Sequence, residues 1–193
     1  MEEKEMQLPS VEELEAELKK ERHKRSYTRA LRSTLYSLLV VVAAAVIISM
    51  LLLPVMQISG ESMTDTLFDK DIVVAVNNAK FSRGDVIGFY FNNSILIKRV
   101  IATSGEFVDI DADGNVYVDG MLIDEPYVTE KSLGECNISL PYQVPDGKCF
   151  VMGDHRETSV DSRNTAVGCV SNDAVVGRLL FRVWPFQSIG PVK

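Results

Sequence analysis

Hydrophobic residues are unevenly distributed along this chain, with one long uncharged run followed by many short ones. The stretch Ser33–Gly60 contains no charged residue, and Leu35–Met56 within it is almost wholly apolar. As an α-helix this inner segment would be about 33 Å long, enough to cross the hydrocarbon core of a bilayer. A buried core helix of that length normally carries a polar stripe, whereas only Ser37 and Ser49 interrupt this run. The pattern predicts a transmembrane anchor over residues 33–56.

The residues that flank the apolar run indicate the orientation of an anchored chain. A cleavable signal peptide has only a short basic head, but here about thirty mostly hydrophilic residues come first. This tail carries a basic cluster close to the run: Lys19, Lys20, Arg22, Lys24, Arg25, Arg29 and Arg32. On the other side the first charged residue is Glu61. By the positive-inside rule, residues 1–32 form a cytoplasmic tail and residues 57–193 an extracytoplasmic domain.

After Gly60 the pattern changes to short apolar runs separated by turn residues. The candidate strands are Ile72–Val76, Val86–Phe91, Ile95–Ala102, Phe107–Ile110, Val116–Val118, Phe150–Met152 and Val175–Trp184. The dipeptides Asp113-Gly114 and Asp119-Gly120 are typical of hairpin turns, and residues 129–148 predict a long loop. Since no long amphipathic helical pattern interrupts the runs, we predict a mainly β exported domain, antiparallel and barrel-like or sandwich-like.

Charge and cysteine content narrow the possible functions. Basic and acidic residues balance before Gln57, so the net charge of −7 lies in the predicted exported domain. An acidic domain gives no support to nucleic-acid binding. The three cysteines, Cys136, Cys149 and Cys169, form no C-x-x-C motif, and the chain has only two histidines. We therefore predict neither a metal site nor a cofactor. A bridge between Cys136 and Cys149 and three reduced thiols are both compatible with this spacing.

One of the two histidines, His23, falls in the predicted tail, so a serine–histidine triad is difficult to build and another base is needed. The candidate nucleophile is Ser62, just after the anchor, although a serine in such a Gly-, Ser- and Thr-rich segment is more often a turn residue. The candidate base is Lys98. In a strand, Lys98 and Arg99 face opposite sides, and both sides are otherwise apolar. At least one of these charges must be buried, paired or at an edge.

Burial would give Lys98 the property that a general base needs. At a pKa near 10.4 only about one lysine amine in 2,500 is neutral at pH 7, and apolar surroundings lower that pKa. The alternative is a lysine whose head reaches solvent along its extended side chain. A third polar segment, Gly153–Arg163, is either a surface loop in which Asp161 and Arg163 pair or a scaffold that orients the lysine amine.

These segments, in this order behind an anchor, resemble bacterial type I signal peptidases of the single-anchor, Gram-positive kind. The resemblance runs from the anchor to about residue 190, and four boxes in the expected order make it specific. The matching segments are Gly60–Leu67 (G-x-S-M-x-P-T-L in the family), Arg83–Val86 (R-G-D-V), Lys98–Val100 (K-R-V), Gly153–Arg163 (G-D-N-x-x-x-S-x-D-S-R) and the closing Trp184–Phe186.

The resemblance implies a role for each matching residue. Ser62 is the nucleophile, its backbone N–H donates to the oxyanion, and Lys98 is general base and then general acid. Ser159 orients the Lys98 amine. Some relatives have a second hydroxyl donor two residues before the nucleophile, where this chain has Gly60. The other implied roles are a structural ion pair (Asp161, Arg163), the shape of the supporting loop (Gly153, Asp154) and shallow pockets for small P1 and P3 side chains (Ile58, Met63, Leu67, Ile97).

Two residues depart from the family pattern. Asp65 stands where the family has proline, so the turn after Ser62 loses a fixed φ and gains a charge. His155 stands where the family has asparagine. Relatives that use a histidine base place it at the position of Lys98, so both departures bear on loop rigidity rather than on the chemistry.

The sequence therefore predicts a membrane-bound serine endopeptidase that removes signal peptides from exported preproteins. Its expected partners are those preproteins and the lipid bilayer, and its expected location is the cell membrane. Two other functions are less compatible with the sequence. A non-catalytic, membrane-anchored β domain for assembly or binding is disfavoured by the intact Ser62/Lys98 pair. A self-cleaving Ser–Lys repressor is disfavoured by the anchor and by the absence of a predicted DNA-binding helical region.

Overall fold

The computed structural model of the protein describes residues 11–77 and 80–192. It divides into two compact units, residues 1–49 and 50–193. In the described part of the first unit all residues are helical, and the second unit contains the strands. The first ten residues of the predicted cytoplasmic tail lie outside the described residues.

The described part of the N-terminal unit belongs to helix α1 (Val11–Leu52), which runs from the charged tail through the apolar run. The part Leu14–Ile47 is long and apolar enough to cross a membrane, and its most apolar stretch is not buried within the protein. The helix ends at Leu52 because Pro54 disfavours helical backbone in the residue before it and cannot donate a helical hydrogen bond. The helix thus ends four residues before residue 56, the predicted end of the anchor, and residues 55 and 56 lie in a strand.

The second unit contains two sheets, and every strand pairing in them is antiparallel. The strands are β1 (Val55–Gln57), β2 (Ile72–Val76), β3 (Val86–Phe91), β4 (Ser94–Thr103), β5 (Phe107–Ile110), β6 (Val116–Val118), β7 (Met121–Leu122), β8 (Tyr142–Gln143), β9 (Lys148–Met152), β10 (Val170–Ser171), β11 (Val175–Trp184) and β12 (Gly190–Pro191). Short 3₁₀ turns occupy Asn172–Ala174 and Phe186–Ser188.

The larger sheet has the order β1-β2-β11-β3-β4-β9-β10, with β12 added beside β11, and the smaller sheet has the order β7-β6-β5-β8. Over the described residues, β1 and β10 each pair with one neighbour, so the larger sheet stays open. The mainly β, antiparallel prediction is confirmed, and a closed barrel is not what these strands form.

The hydrophobic pattern located the longer strands well. Five of the seven predicted strands have the predicted bounds, and β4 and β9 extend one or two residues further. The strands that the pattern missed are two or three residues long, too short to show a periodicity of two. One of them, β8, lies inside the predicted loop 129–148 and pairs with β5.

Three buried clusters form the core. One packs the segment after β1 against β2, β3 and β11: Met56, Ile58, Met63, Leu67, Val73, Ala75, Val86 and Leu179. A second lies between β4, β9 and the smaller sheet: Ile101, Ala102, Val108, Ile110, Val116, Val118, Val144, Phe150 and Met152. A third contains Ile87, Phe89, Val100, Cys149, Val151 and Val170. Strand β4 contributes to two of these clusters and is therefore firmly held.

The close approach of β11 to β2 requires a glycine at position 177. A Cβ there would lie 2.6 Å from the Val76 carbonyl oxygen, whereas a Cβ at Gly190 would meet no atom within 4 Å. We expect Gly177→Ala to lower the free energy of unfolding by about 1–3 kcal/mol, because the backbone must shift. Gly190→Ala should change it by less than about 0.5 kcal/mol. Thermal unfolding of the full chain in detergent measures both, and equal stabilities would contradict the close packing.

Candidate active site

Ser62 lies in a loop whose two ends are joined by backbone hydrogen bonds and whose buried side chains pack into the core. The backbone N–H of Ile58 donates to the Asp71 carbonyl at 2.8 Å, and that of Lys70 donates to the Ile58 carbonyl at 2.9 Å. Within the loop, the N–H of Leu67 donates to the Met63 carbonyl at 2.8 Å. The side chains of Met63 and Leu67 are buried in the core. Because the next residue, Met63, is buried in the core, Ser62 has a defined position at the surface of the core.

Lys98 reaches this serine from the middle of β4. It pairs with Ile87 of β3, and only 3% of its surface is exposed. Its Nζ lies 2.6 Å from Ser62 Oγ. Strand alternation places Arg99 on the opposite face, where it is equally buried. Both charges that the sequence placed on apolar faces are thus buried, and Lys98 contacts the candidate nucleophile.

Burial changes the acidity of Lys98. Removal from water lowers the pKa of its ammonium from 10.5 to about 8. Asp161 and Asp154 oppose this shift, while Arg163 adds to it. At a pKa near 8, roughly a tenth of the amines are neutral at pH 7. The structure therefore gives Lys98 the property required of a general base.

The loop after β9 contains a buried ion pair at its centre. Asp161 receives hydrogen bonds from Arg163 through Nε at 2.9 Å and Nη2 at 2.8 Å, and neither side chain is exposed. The Asp161 carboxylate also accepts the Gly153 N–H at 2.9 Å. Burial disfavours ionisation of Asp161, but the hydrogen bonds and charge of Arg163 outweigh it, so the pKa of Asp161 is lowered. The pair thus ties the end of the loop to its beginning.

Gly153 is the point where this loop meets the nucleophile. A Cβ at Gly153 would lie 2.2 Å from Ser159 Oγ and 2.5 Å from the Ser62 carbonyl oxygen, so no larger residue fits. The His155 N–H donates to the same Ser62 carbonyl at 3.2 Å. Ser159 is buried here. Among the described residues, no hydrogen bond joins its hydroxyl to the Lys98 amine, so the orienting role of Ser159 stays a prediction.

Asp154 connects the loop to the nucleophile segment and to β4. Its carboxylate accepts hydrogen bonds from Arg99 through Nε at 2.9 Å and Nη2 at 2.6 Å, and from Thr66 Oγ1 at 2.5 Å. Arg99 Nη1 also donates to the Gly84 carbonyl at 2.7 Å, within the Arg83–Val86 segment. Sequence reasoning gave no role to Arg99 or Thr66, although the apolar neighbours of Arg99 were a signal that it is buried and paired.

The chain is similar in sequence to known proteins. The family model "Signal peptidase, peptidase S26" matches residues 31–184. Signal peptidase I of Bacillus amyloliquefaciens is 31% identical over 187 residues, which cover 91% of this chain and 100% of that protein. The chain belongs to the signal peptidase S26 family. The resemblance seen in the sequence motifs is thereby confirmed, and the chain is assigned to a family of peptidases.

Two further relatives are similar to this S26 family member over shorter segments. Signal peptidase IB of Staphylococcus aureus (strain COL) is 36% identical over 151 residues, which cover 67% of this chain and 77% of that protein. A crystal structure of a signal peptidase I from Enterococcus faecalis V583 is 30% identical, with a TM-score of 0.43, and covers 52% of this chain and 97% of that one.

The four predicted pocket residues of this S26 peptidase lie together. Ile58, Met63 and Leu67 belong to one buried cluster, and the half-buried Ile97 packs against it. All four therefore lie around the base of the nucleophile loop, in apolar surroundings. Their role in accepting small substrate side chains stays a prediction.

The two departures from the family pattern lie beside the nucleophile loop. Asp65 is exposed and accepts a hydrogen bond from the Thr129 hydroxyl. The His155 ring contacts Thr158 Oγ1 through Nδ1 at 3.1 Å and, over the described residues, bonds to neither Ser62 nor Lys98. Asp65, Thr129 and His155 all border a cavity of about 620 Å³ next to the loop. Neither departure alters the Ser62–Lys98 contact.

The three cysteines are free thiols. Cys149 is fully buried, and this burial raises its pKa to about 12, so it stays protonated. The bridge between Cys136 and Cys149 that the spacing allowed is therefore not formed. Among the described residues, no group of three or more His, Cys, Asp or Glu side chains is arranged to hold a metal ion.

The buried ammonium should lower the stability of the folded protein. The pKa of Lys98 is about 8 when folded and 10.5 when unfolded, so below pH 8 the native state retains the full penalty of burying the charge. Lys98→Met should raise the free energy of unfolding at pH 7, by up to about 3 kcal/mol less about 1 kcal/mol for the lost hydrogen bond. Between pH 8 and 10.5 the unfolded wild type binds more protons than the native state, so wild-type stability rises with pH and the gap narrows.

Thermal unfolding of the full chain in detergent across pH 6–11 measures this gap. The exposed Lys80 provides the control, because Lys80→Met should leave stability within about 0.5 kcal/mol of wild type. If Lys98→Met were less stable than wild type at every pH, burial would not be the dominant effect on Lys98.

Proposed function

We propose that this protein is a membrane-bound serine endopeptidase that removes N-terminal signal peptides from exported preproteins, with Ser62 as nucleophile and Lys98 as general base. The observation that carries the proposal is the 2.6 Å separation between Ser62 Oγ and the Nζ of buried Lys98. The relatives named signal peptidase I and IB support the substrate class.

In the proposed reaction the neutral Lys98 amine takes the proton of Ser62 Oγ as that oxygen attacks the scissile carbonyl carbon. The protonated amine then gives its proton to the leaving amine, which is the new N-terminus of the mature protein. Water, activated by the same amine, hydrolyses the acyl-enzyme and restores Ser62. One residue thus serves as base, acid and base again.

The developing oxyanion needs hydrogen-bond donors fixed in advance. Among the described residues, none accepts a hydrogen bond from the Ser62 backbone N–H, so this group is available for the role. Gly60 offers no side-chain donor, and its own N–H is already bonded to Asp69 Oδ1 at 3.0 Å. The Ser62 N–H is therefore the donor that we assign to the oxyanion.

The supporting residues hold Ser62 and Lys98 in a fixed geometry. Asp161 and Arg163 form the buried ion pair that anchors the loop, and Gly153 and Asp154 bring that loop against the nucleophile segment. Ser159, buried beside Gly153, is the residue to which we assign the orientation of the Lys98 amine.

We assign substrate recognition to the apolar residues at the base of the nucleophile loop. Ile58, Met63, Leu67 and Ile97 would line shallow pockets that accept only small side chains at P1 and P3. The preprotein would lie extended beside the site and add a strand, so that main-chain hydrogen bonds supply affinity and the pockets supply selectivity.

The proposed topology has a single membrane pass, with residues 1–32 in the cytoplasm and residues 57–193 outside. It is supported by the basic cluster before the apolar run, by Glu61 as the first charge after it, and by a helix long enough to cross the bilayer. We assign the anchor to residues 33–56, of which those up to Leu52 belong to α1. The protein would then act at the outer face of the cell membrane, with the lipid bilayer as its second partner.

Substitution of the two proposed catalytic residues tests the assignment. With a purified preprotein as substrate, wild type should make one cut at the signal boundary, and Ser62→Ala and Lys98→Ala should each lower kcat at least about a thousandfold. The double variant should lose little more, because the two residues act as one unit. Lys98→Arg should be equally inactive, since a guanidinium stays protonated.

Circular dichroism spectra of these variants serve as the control for folding. No cut by the wild type would favour a non-catalytic membrane-anchored domain. A cut by Ser62→Ala at near-normal rate would mean that another residue is the nucleophile.

The pH dependence of cleavage tests the state of Lys98. Since only the neutral amine acts as a base, kcat/KM should rise with pH along a limb with an apparent pKa of about 8 and then level off. Steady-state cleavage of a peptide without titratable groups near its scissile bond measures this limb. A rate that climbs without levelling towards pH 10.5 would mean that Lys98 is solvated when it reacts.

A further inference from the structure

A second ion pair lies entirely out of contact with water and joins the Gly153–Arg163 loop to a neighbouring segment. Arg156 in that loop and Glu125 from the segment after β7 both have fully buried side chains. Arg156 Nη1 donates to one Glu125 oxygen at 3.2 Å, and Nη2 donates to the other. A buried pair of this kind gains little net stability, because both charges lose their hydration. Its geometry therefore needs an explanation other than stability.

The third nitrogen of the Arg156 guanidinium provides that explanation. Its Nε donates to the Gly153 carbonyl at 3.1 Å, while the Gly153 N–H is held by Asp161 at 2.9 Å. Both peptide groups of this glycine are thus fixed by buried, charged side chains. Because Gly153 is in tight contact with the Ser62 carbonyl and with Ser159, a shift of Gly153 would displace the nucleophile.

Tyr127, two residues after Glu125, supports the neighbouring residue of the loop in the same way. Its hydroxyl donates to Glu125 Oε1 at 3.1 Å, and its ring centre lies 3.8 Å from Arg99 Cζ. Arg99 in turn holds the Asp154 carboxylate. Burial, followed by the charge of Glu125, raises the pKa of Tyr127, so its hydroxyl stays a donor at any working pH.

We infer that Glu125 and Tyr127 are positioning residues for catalysis: Glu125 through Arg156, and Tyr127 through Arg99, hold Gly153 and Asp154 so that Ser62 stays within reach of Lys98. The inference rests on the proposed peptidase function and assigns a role to a segment outside the four motif boxes. Neither residue touches Ser62 or Lys98 directly.

The first test is Glu125→Gln in the full chain in detergent, with cleavage of a preprotein as readout. The substitution keeps the shape of the side chain but leaves the Arg156 charge uncompensated. We expect kcat to fall by about tenfold to a hundredfold, as for a small misplacement of reacting groups. KM should change by less than about twofold, because no substrate contact is lost. Asp124→Asn, at the exposed preceding residue, should leave both constants at their wild-type values.

A double variant separates positioning from simple stabilisation. Glu125→Leu together with Arg156→Met removes both charges and leaves apolar side chains of similar size, so the unfolding temperature should recover relative to Glu125→Gln. The kcat should stay low, because the Gly153 carbonyl has lost its donor. Recovery of kcat together with stability would overturn the inference.

Substitutions of Tyr127 supply a second arm, which leaves both charges of the ion pair in place and removes from that pair only the Tyr127 hydrogen bond to Glu125. Tyr127→Phe keeps the ring over Arg99 and should retain kcat within about threefold, whereas Tyr127→Leu removes the ring and should lower kcat about tenfold or more with KM unchanged. Normal kcat for both Glu125→Gln and Tyr127→Leu, with an active wild type, would overturn the positioning role alone. An inactive wild type would count against the proposed function itself.

Discussion

The ammonium group of Lys98 is held out of water, and much of the surrounding structure follows from that constraint. A lysine on an apolar strand face normally extends its head to solvent, but here β4 lies inside the sheet, between β3 and β9. The charged form is therefore disfavoured, and the pKa falls to about 8. The same burial that produces a usable base lowers the stability of the fold, so the packing around β4 must offset it.

Charges near such a base have to be balanced, because a net local charge would move its pKa again. Three arginines are buried around the site, and each is paired with a carboxylate: Arg99 with Asp154, Arg156 with Glu125, and Arg163 with Asp161. Desolvation is the largest effect on the pKa of Lys98. Asp161 and Asp154 raise this pKa and Arg163 lowers it, so the charge of Arg163 opposes those of the two carboxylates. Paired arginines can thus hold the loop rigidly without returning Lys98 to its protonated state.

The parts that sequence alone predicted are those with a regular or specific signal. The strands longer than three residues follow from alternation and turn dipeptides, and the Ser62–Lys98 pair follows from two motif boxes together with the apolar neighbours of Lys98. Glu125 gave no such signal, because it lies in a loop without periodicity and meets Arg156 only through the tertiary fold. The predicted anchor extends beyond the end of α1 because apolar composition continues into β1, and only Pro54 marks the boundary.

The two departures from the family pattern lie at positions where, within the described chain, the side chain itself forms no hydrogen bond to Ser62 or Lys98. At position 155 the contact with the nucleophile is made by the backbone N–H, which donates to the Ser62 carbonyl, and any residue except proline supplies it. The His155 side chain is free to bond Thr158 instead. At position 65 the exposed carboxylate accepts a hydrogen bond from the Thr129 hydroxyl, which links the turn after Ser62 to a neighbouring loop. Positions whose side chains are themselves buried in the network, such as Asp154 and Asp161, have no comparable freedom.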